Sequence, residues 1–188
     1  LREAVLETKN GWSPKCSGGS TRVLSLACLK SGVIDFSEIK FTDETLPDID
    51  RFYLKEGDFF YSRGNTPELV ALAGIAGGTD EKIVFPDLLT RVRFDPTLIL
   101  PEYAVWLFNS PIGRAYFGAV PPGASPTMVK VSQDYMGAFS VPLMGNLTRQ
   151  REIIEQEKDR RKILTVMLAM EIKLYSMADL ERNSIWES

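Results

Sequence analysis

The sequence contains no histidine, and that one absence excludes more chemistry than any other feature. Ser-His-Asp and Cys-His catalysis, HExxH zinc sites and any imidazole general base go with it. Only two cysteines are present, Cys16 and Cys28. They are too few to complete a structural zinc site and unneeded as a staple in a chain of this size, so they read as reduced thiols. No window approaches the roughly 18 consecutive apolar residues of a membrane-spanning helix. The opening stretch LREAVLETKNGW lacks the basic, apolar and small-residue blocks of a signal peptide. The expected location is the cytoplasm, with no membrane partner. Acid and base work would fall to carboxylates or lysine, and no local pairing of these with a nucleophile stands out. AGIAGGTD (73–80) is glycine-rich but has neither Gly-Lys-Ser/Thr nor the GxGxxG spacing, so it reads as a mobile hairpin turn. Hydrolytic enzymes are improbable on these grounds.

What is present is the composition of a folded globular protein: 44% hydrophobic and 25% charged over 188 residues. The formal net charge of -3 argues at first against nucleic acid, since a basic surface is what neutralises phosphates. The distribution says otherwise. Residues 35 to 58 hold eight of the seventeen acids found before Leu147, whereas Thr8 to Ile34 holds none and carries Lys9, Lys15, Arg22 and Lys30. Tyr103 to Gln133 is also free of acids and carries Arg114 and Lys130. Such segregation allows one positive face on an acidic molecule.

The pattern changes near Leu147. Before it, short apolar stretches read as strands, several with alternating sides: VLSLACL (23–29), DFFYS (58–62), KIVF (82–85) and LLTRVRF (88–94). Gly- and Pro-containing segments between them, at 11–20, 62–67, 76–80 and 120–127, read as exposed loops. Pro101 predicts a helix to about Asn109, and Ser110-Pro111 predicts the cap and first turn of a second one through about Phe117. From Thr148 onward there is no Gly or Pro, which predicts one long helix with Thr148 as N-cap. Ile153, Gln156, Arg160, Ile163, Met167, Met170, Leu174 and Met177 fit alternating a and d heptad positions. The expected fold is therefore α/β (α+β): a mixed twisted-sheet domain with short helices over 1–146, followed by one long coiled-coil-type helix over 147–188.

In order and spacing, four stretches resemble the specificity subunit of type I restriction-modification systems. They are NGWSPKCSGGSTRVLSLACLKSGVIDF (10–36), LKEGDFFYSRGNT (54–66), LPEYAVWLFNSPIGRAYF (100–117) and GASPTMVKVSQDYMGAFSVPLMGNLTRQREIIEQ (123–156). Each is similar to a family feature: the Gly-rich loop with its strand, the Leu-x-x-Gly-Asp strand with Ser-Arg, the paired helices with the Ser-x-x-Gly break, and a short helix with a strand ending in Val-Pro-Leu. The family usually has Leu-Pro-x-Pro before its spacer helix, whereas Met144-Gly145-Asn146-Leu147 stands there in this chain.

The resemblance implies one target-recognition domain and one spacer helix, a noncatalytic reader of one half of a bipartite double-stranded DNA site. It implies as partners the modification (methyltransferase) subunits and the restriction subunit, with S-adenosylmethionine only on the methyltransferase. Candidate DNA contacts are Lys15, Ser17, Ser20 and Arg22 in and after the first loop, and Arg63, Asn65 and Thr66 after the second strand. Arg91 and Arg93 share one face of a strand, and Arg114, Ser125, Thr127 and Lys130 lie in the second acid-free window. Lys15, Arg22, Arg63, Arg91 and Arg114 are expected to converge on one concave side. Ile153, Ile163, Met167, Met170, Leu174 and Met177 are expected to pair with a second recognition domain or, as a two-fold homodimer, with a second copy. Another reading is a noncatalytic protein-interaction scaffold that uses the long helix for assembly.

Overall fold

Phe59-Phe60-Tyr61-Ser62, buried at every position, organises the head of the molecule. The structure is a computed structural model that describes residues 1–186 apart from 31, 80 and 120–127, with side chains as far as 174. In chain order come a 3-10 turn (Arg2–Ala4), β1 (Val5–Asn10), β2 (Thr21–Leu24), a 3-10 turn (Leu26–Cys28), β3 (Leu29–Lys30), β4 (Val33–Ile34) and β5 (Ile39–Thr42). They are followed by a 3-10 turn (Ile49–Phe52), β6 (Phe59–Ser62), β7 (Gly64–Asn65), β8 (Ala73–Ile75), β9 (Ile83–Val84) and β10 (Leu89–Phe94). The remainder is α1 (Pro101–Asn109), α2 (Pro111–Gly118), β11 (Val129–Lys130), α3 (Gln133–Ala138) and α4 (Leu147–Trp186). No helix among the described residues is long and apolar enough to cross a membrane.

The main sheet has six strands in the order β1-β10-β6-β8-β4-β3, and a three-stranded sheet has the order β5-β2-β9. β6 is covered on both faces, which is why its sequence is a continuous apolar run rather than an alternating one. Phe59 and Tyr61 face the helices, meeting Phe108 of α1 at 5.3 and 5.9 Å between ring centres. Phe60 points the other way, into a core with Phe85 at 4.9 Å, Leu24 and Ile83. Each such ring stabilises the fold by about 1.5–3 kcal/mol when fully buried. The mixed sheets, short helices and long C-terminal helix make this an α/β head followed by a helix, as the sequence predicts.

Local signals hold where they are strong. α1 spans Pro101–Asn109, and Ser110 caps α2 by accepting a hydrogen bond from the Gly113 amide at 3.2 Å. Elsewhere long-range contacts override them. Val23 to Leu29 is not one strand: the Ser25 amide donates to the Glu38 carbonyl at 2.8 Å and the Cys28 amide turns back to Ser25 at 3.2 Å, bending the chain between β2 and β3. Residues 73–75 are not part of a hairpin turn but β8, an inner strand of the main sheet. A Cβ at Gly74 would come within 3.0 Å of the Val33 carbonyl, so this glycine serves strand packing. Val141-Pro142-Leu143 is not a strand; residues 142–145 form a turn, with Leu143 at φ 61°. Thr148 is inside α4, and Asn146 caps it instead, its Oδ1 accepting from the Arg149 amide at 3.1 Å.

Contacts divide the chain into two units, Leu1–Gln150 and Arg151–Ser188. The first contains the sheets and the first turn of α4. The second is the continuation of that helix.

Candidate nucleic-acid interface

β1 ends at Asn10, opposite Thr90 at the start of β10, and β6 ends at Ser62, opposite Leu89. One end of the main sheet therefore gathers the loop after β1 (11–20), the segment after β6 (63–66) and the turn before β10 (86–88). Backbone bonds hold them together. Gly11 donates to the Leu89 carbonyl at 3.1 Å, Trp12 to Phe85 at 3.0 Å and Arg63 to Leu88 at 2.8 Å. Across from Arg63, Val131 donates to its carbonyl at 2.8 Å, and β7 pairs with β11 so that Lys130 lies opposite Gly64. A cleft of about 190 Å³ opens beside the first loop, lined by Pro14, Cys16, Lys40, Asp87 and Leu88 among others.

The first loop is built on the fold rather than left free. Its Lys15 carbonyl accepts from the Thr42 hydroxyl at 2.9 Å, and the Ser20 amide donates to the Asp43 carboxylate at 3.2 Å. Gly11 and Gly19 are needed because a Cβ would strike the Phe85 and Thr42 main chain at 2.2 and 2.3 Å. Gly18, at φ 115°, has nothing within 4 Å of its Cβ position, so close backbone approach to a phosphate is open there alone of these three.

On this platform the side chains of Lys15, Ser17 and Ser20 are exposed, as are Thr66 and Lys130, while Arg63 and Asn65 are half-buried. Among the described residues no carboxylate pairs with Arg63. Asn65 accepts the Thr66 amide on its Oδ1 at 2.9 Å, which holds the turn. Arg22 makes an ion pair with Glu81 at 2.6 Å, both side chains well exposed. Pairs of that kind contribute about 0–1 kcal/mol and exchange readily.

Two other cations belong to the frame, Arg91 and Arg114, a correction to their expected place in the interface. Arg91 is only 5% exposed, paired with Asp58 at 3.5 Å and with Glu7 at 3.7 Å, and lies over the Phe85 ring at 5.4 Å. Arg93 shares that face, as the alternation predicts, and is exposed, donating to Glu7 at 3.0 Å in a pair as exchangeable as that of Arg22. Arg114 is half-buried with its guanidinium on the carbonyls of Glu68 and Val70, and burial lowers its pKa from the usual arginine range. The five arginine and lysine residues expected on one concave side thus do not act as one set. Lys15 is exposed and Arg63 half-buried at the sheet end, Arg22 holds an exchangeable pair, and Arg91 and Arg114 brace strands and turns. Ser125 and Thr127 lie outside the described residues.

On α4, Ile153 is half-buried and Ile163, Met167, Met170 and Leu174 are exposed by 59 to 67%. The side chain of Met177 lies outside the described residues. Arg160, which the heptad frame places in the seam, is bound by both Nε and Nη2 to Glu157 on its own helix, each at 2.7 Å. That bond is the largest influence holding the Glu157 carboxyl down at about 2. The structure adds a second exposed stripe that the heptad reading missed: Leu164, Leu168 and Ile172. Their i, i+4, i+8 spacing is a signal that the sequence already carries.

No family model matches the sequence. The chain is 31% identical over 117 residues to the type I restriction enzyme EcoKI specificity subunit of Escherichia coli (strain K12), a match covering 60% of this chain and 25% of that protein. Its fold resembles the HsdS subunit from Thermoanaerobacter tengcongensis, seen in a crystal structure, with a TM-score of 0.57 and 14% identity over 86% of this chain and 36% of the other. The chain therefore spans about a quarter to a third of the length of the relatives it matches. The chain is thus similar in sequence to part of one type I restriction enzyme specificity subunit, and its α/β head with the long helix is similar in fold to part of an HsdS subunit.

Proposed function

We propose that the chain is a noncatalytic DNA reader that recognises one half of a bipartite double-stranded site with its α/β head. The observation that carries this reading is the sheet end where Arg63, Asn65 and Thr66, Lys130 and the glycine-containing loop with Lys15, Ser17 and Ser20 are held side by side. A rigid sheet presents them, and they are the donors that base edges and phosphates need: a guanidinium suited to guanine, an amide suited to adenine, lysines and hydroxyls for the backbone.

The helix takes the part of spacer and assembly surface. Its first stripe suits the matching helix of a second recognition domain or a second copy of this chain, and its second stripe offers a separate surface to the modification subunits, with the restriction subunit joining the same assembly. Methyl transfer from S-adenosylmethionine belongs to the modification subunit, and this chain holds no cofactor. The assembly works on DNA in the cytoplasm.

Salt separates this reading from that of a pure protein scaffold. For a DNA reader, log K should fall with log salt at a slope of about -0.9 per phosphate contacted. Duplex binding that is absent at low salt, with the helix still assembling partners, would leave the scaffold reading in its place.

A further inference from the structure

Gln150 stands in the first turn of α4 between Arg149 and Arg151, which are both exposed, yet its own side chain is 0% exposed. All of its strongest bonding capacity goes to main chain. Oε1 accepts from the Leu100 amide at 2.8 Å, and Nε2 donates to the carbonyls of Leu98 and Leu143, each at 2.9 Å. The Leu100 amide is at the start of α1, a helix end that no side-chain cap serves. Leu98 accepts a further bond from the Gly145 amide at 2.7 Å, and the Tyr103 hydroxyl donates to the Pro142 carbonyl at 2.9 Å. One buried amide therefore joins the lead-in to α1, the turn at 142–145 and the root of α4. An apolar side chain of similar volume would fill the space but leave the Leu100 amide unpaired and the Leu98 and Leu143 carbonyls with only their bonds from the Gly145 and Asn146 amides, while a carboxylate would keep the acceptor and lose both donors.

The location of this clamp suggests its purpose. From Thr148 to Ser188 the sequence has no Gly or Pro, so those residues supply no hinge within the helix. Just before it, Leu143 and Gly145 have φ of 61° and 80°, the backbone conformations expected of a joint. Gln150 bridges that joint, binding Leu143 within it and Leu98 and Leu100 beyond it. A spacer helix can measure a distance only if its root is fixed on the part that reads DNA. One extra base pair between half-sites moves the second by about 3.4 Å and turns it by about 34–36°, a change that a loosened root could absorb.

We propose that Gln150 is a positioning residue that sets how strictly this protein measures the gap between two half-sites. The proposal rests on the DNA-reading function argued above. Its test is enrichment of bound duplexes from a random library by the intact protein carrying Gln150, Gln150→Met or Gln150→Glu, each first shown to unfold cooperatively. The glutamate variant keeps the test open if the methionine variant does not fold. The native protein should enrich one gap length by about tenfold or more over gaps one base pair longer or shorter, the scale of a mismatch penalty. The variants should enrich the same half-site sequences with neighbouring gaps rising to within about threefold, a loss that simple destabilisation of the head would not produce. A folded variant that keeps the single native gap overturns the proposal alone. A native protein that enriches no bipartite sequence overturns the DNA-reading function and this proposal with it.

Discussion

The carbonyl of Arg63 accepts a hydrogen bond from the amide of Val131 at 2.8 Å, joining the segment after β6 to a strand more than sixty residues later. That bond extends the short β7–β11 ladder and brings Lys130 beside the Arg63–Thr66 segment. Two stretches that are separate in the sequence become one edge of the candidate interface. Mutations should sort according to whether they touch this edge or the frame behind it.

The frame is the pairing of Arg91 with Asp58, both nearly buried, with Glu7 as a second partner of Arg91. Asp58→Ala removes the buried partner and leaves the guanidinium only the half-exposed Glu7 at 3.7 Å, a loss of up to about 3–5 kcal/mol, the scale for breaking a buried pair. Urea unfolding should show that loss. A stability change within about 0.5 kcal/mol, the size typical of surface substitutions, would mean that Arg91 is held by something other than this carboxylate.

The thiols should behave differently from each other. Cys16 is exposed in the first loop, whereas Cys28 is buried, and burial pushes its pKa up to about 12. A thiol-reactive chromophore should label Cys16 alone in the native protein and both residues after denaturation. Rapid native labelling of both would show that the bend between β2 and β3 opens.

The apolar stripes of α4 give a third test. Met167 and Met170 are exposed by 59% and 63%, and exposed apolar patches of this kind are usually interaction surfaces. Aspartate at both positions should dissociate a two-fold homodimer, or detach a partner helix, while the head keeps its unfolding transition. Light scattering that gives the same mass before and after the double substitution would remove the helix from assembly.

What could be read from the sequence was what local chemistry decides. Pro101, the Ser110-Pro111 cap and the glycine- and proline-free run after Thr148 each specify backbone geometry within a few residues, and the helices lie where they point. The β6 run was equally legible, because a strand buried on both faces must be apolar throughout. The errors came where the deciding partner is distant. Nothing near Ser25 in the sequence announces that its amide goes to Glu38, and nothing beside Arg91 or Arg114 announces Asp58 or the Glu68 and Val70 carbonyls. A basic residue in an acid-free window looks available until the fold shows what it is holding. Gln150 went unremarked for the same reason: between two arginines it reads as surface, and only the turn at 142–145 explains its burial.

The central claim, that this sheet end reads DNA, is tested most directly by equilibrium binding of the native protein and of Arg63→Ala to a duplex carrying the selected site and to random duplex of equal length, at one fixed salt concentration. If Arg63 reads a base edge, the substitution should cost about 1–3 kcal/mol on the selected site and little on random DNA, so that the specificity ratio falls. An equal loss on both duplexes would make Arg63 a phosphate contact, and no loss on either would contradict the assignment of this sheet end as the reading surface.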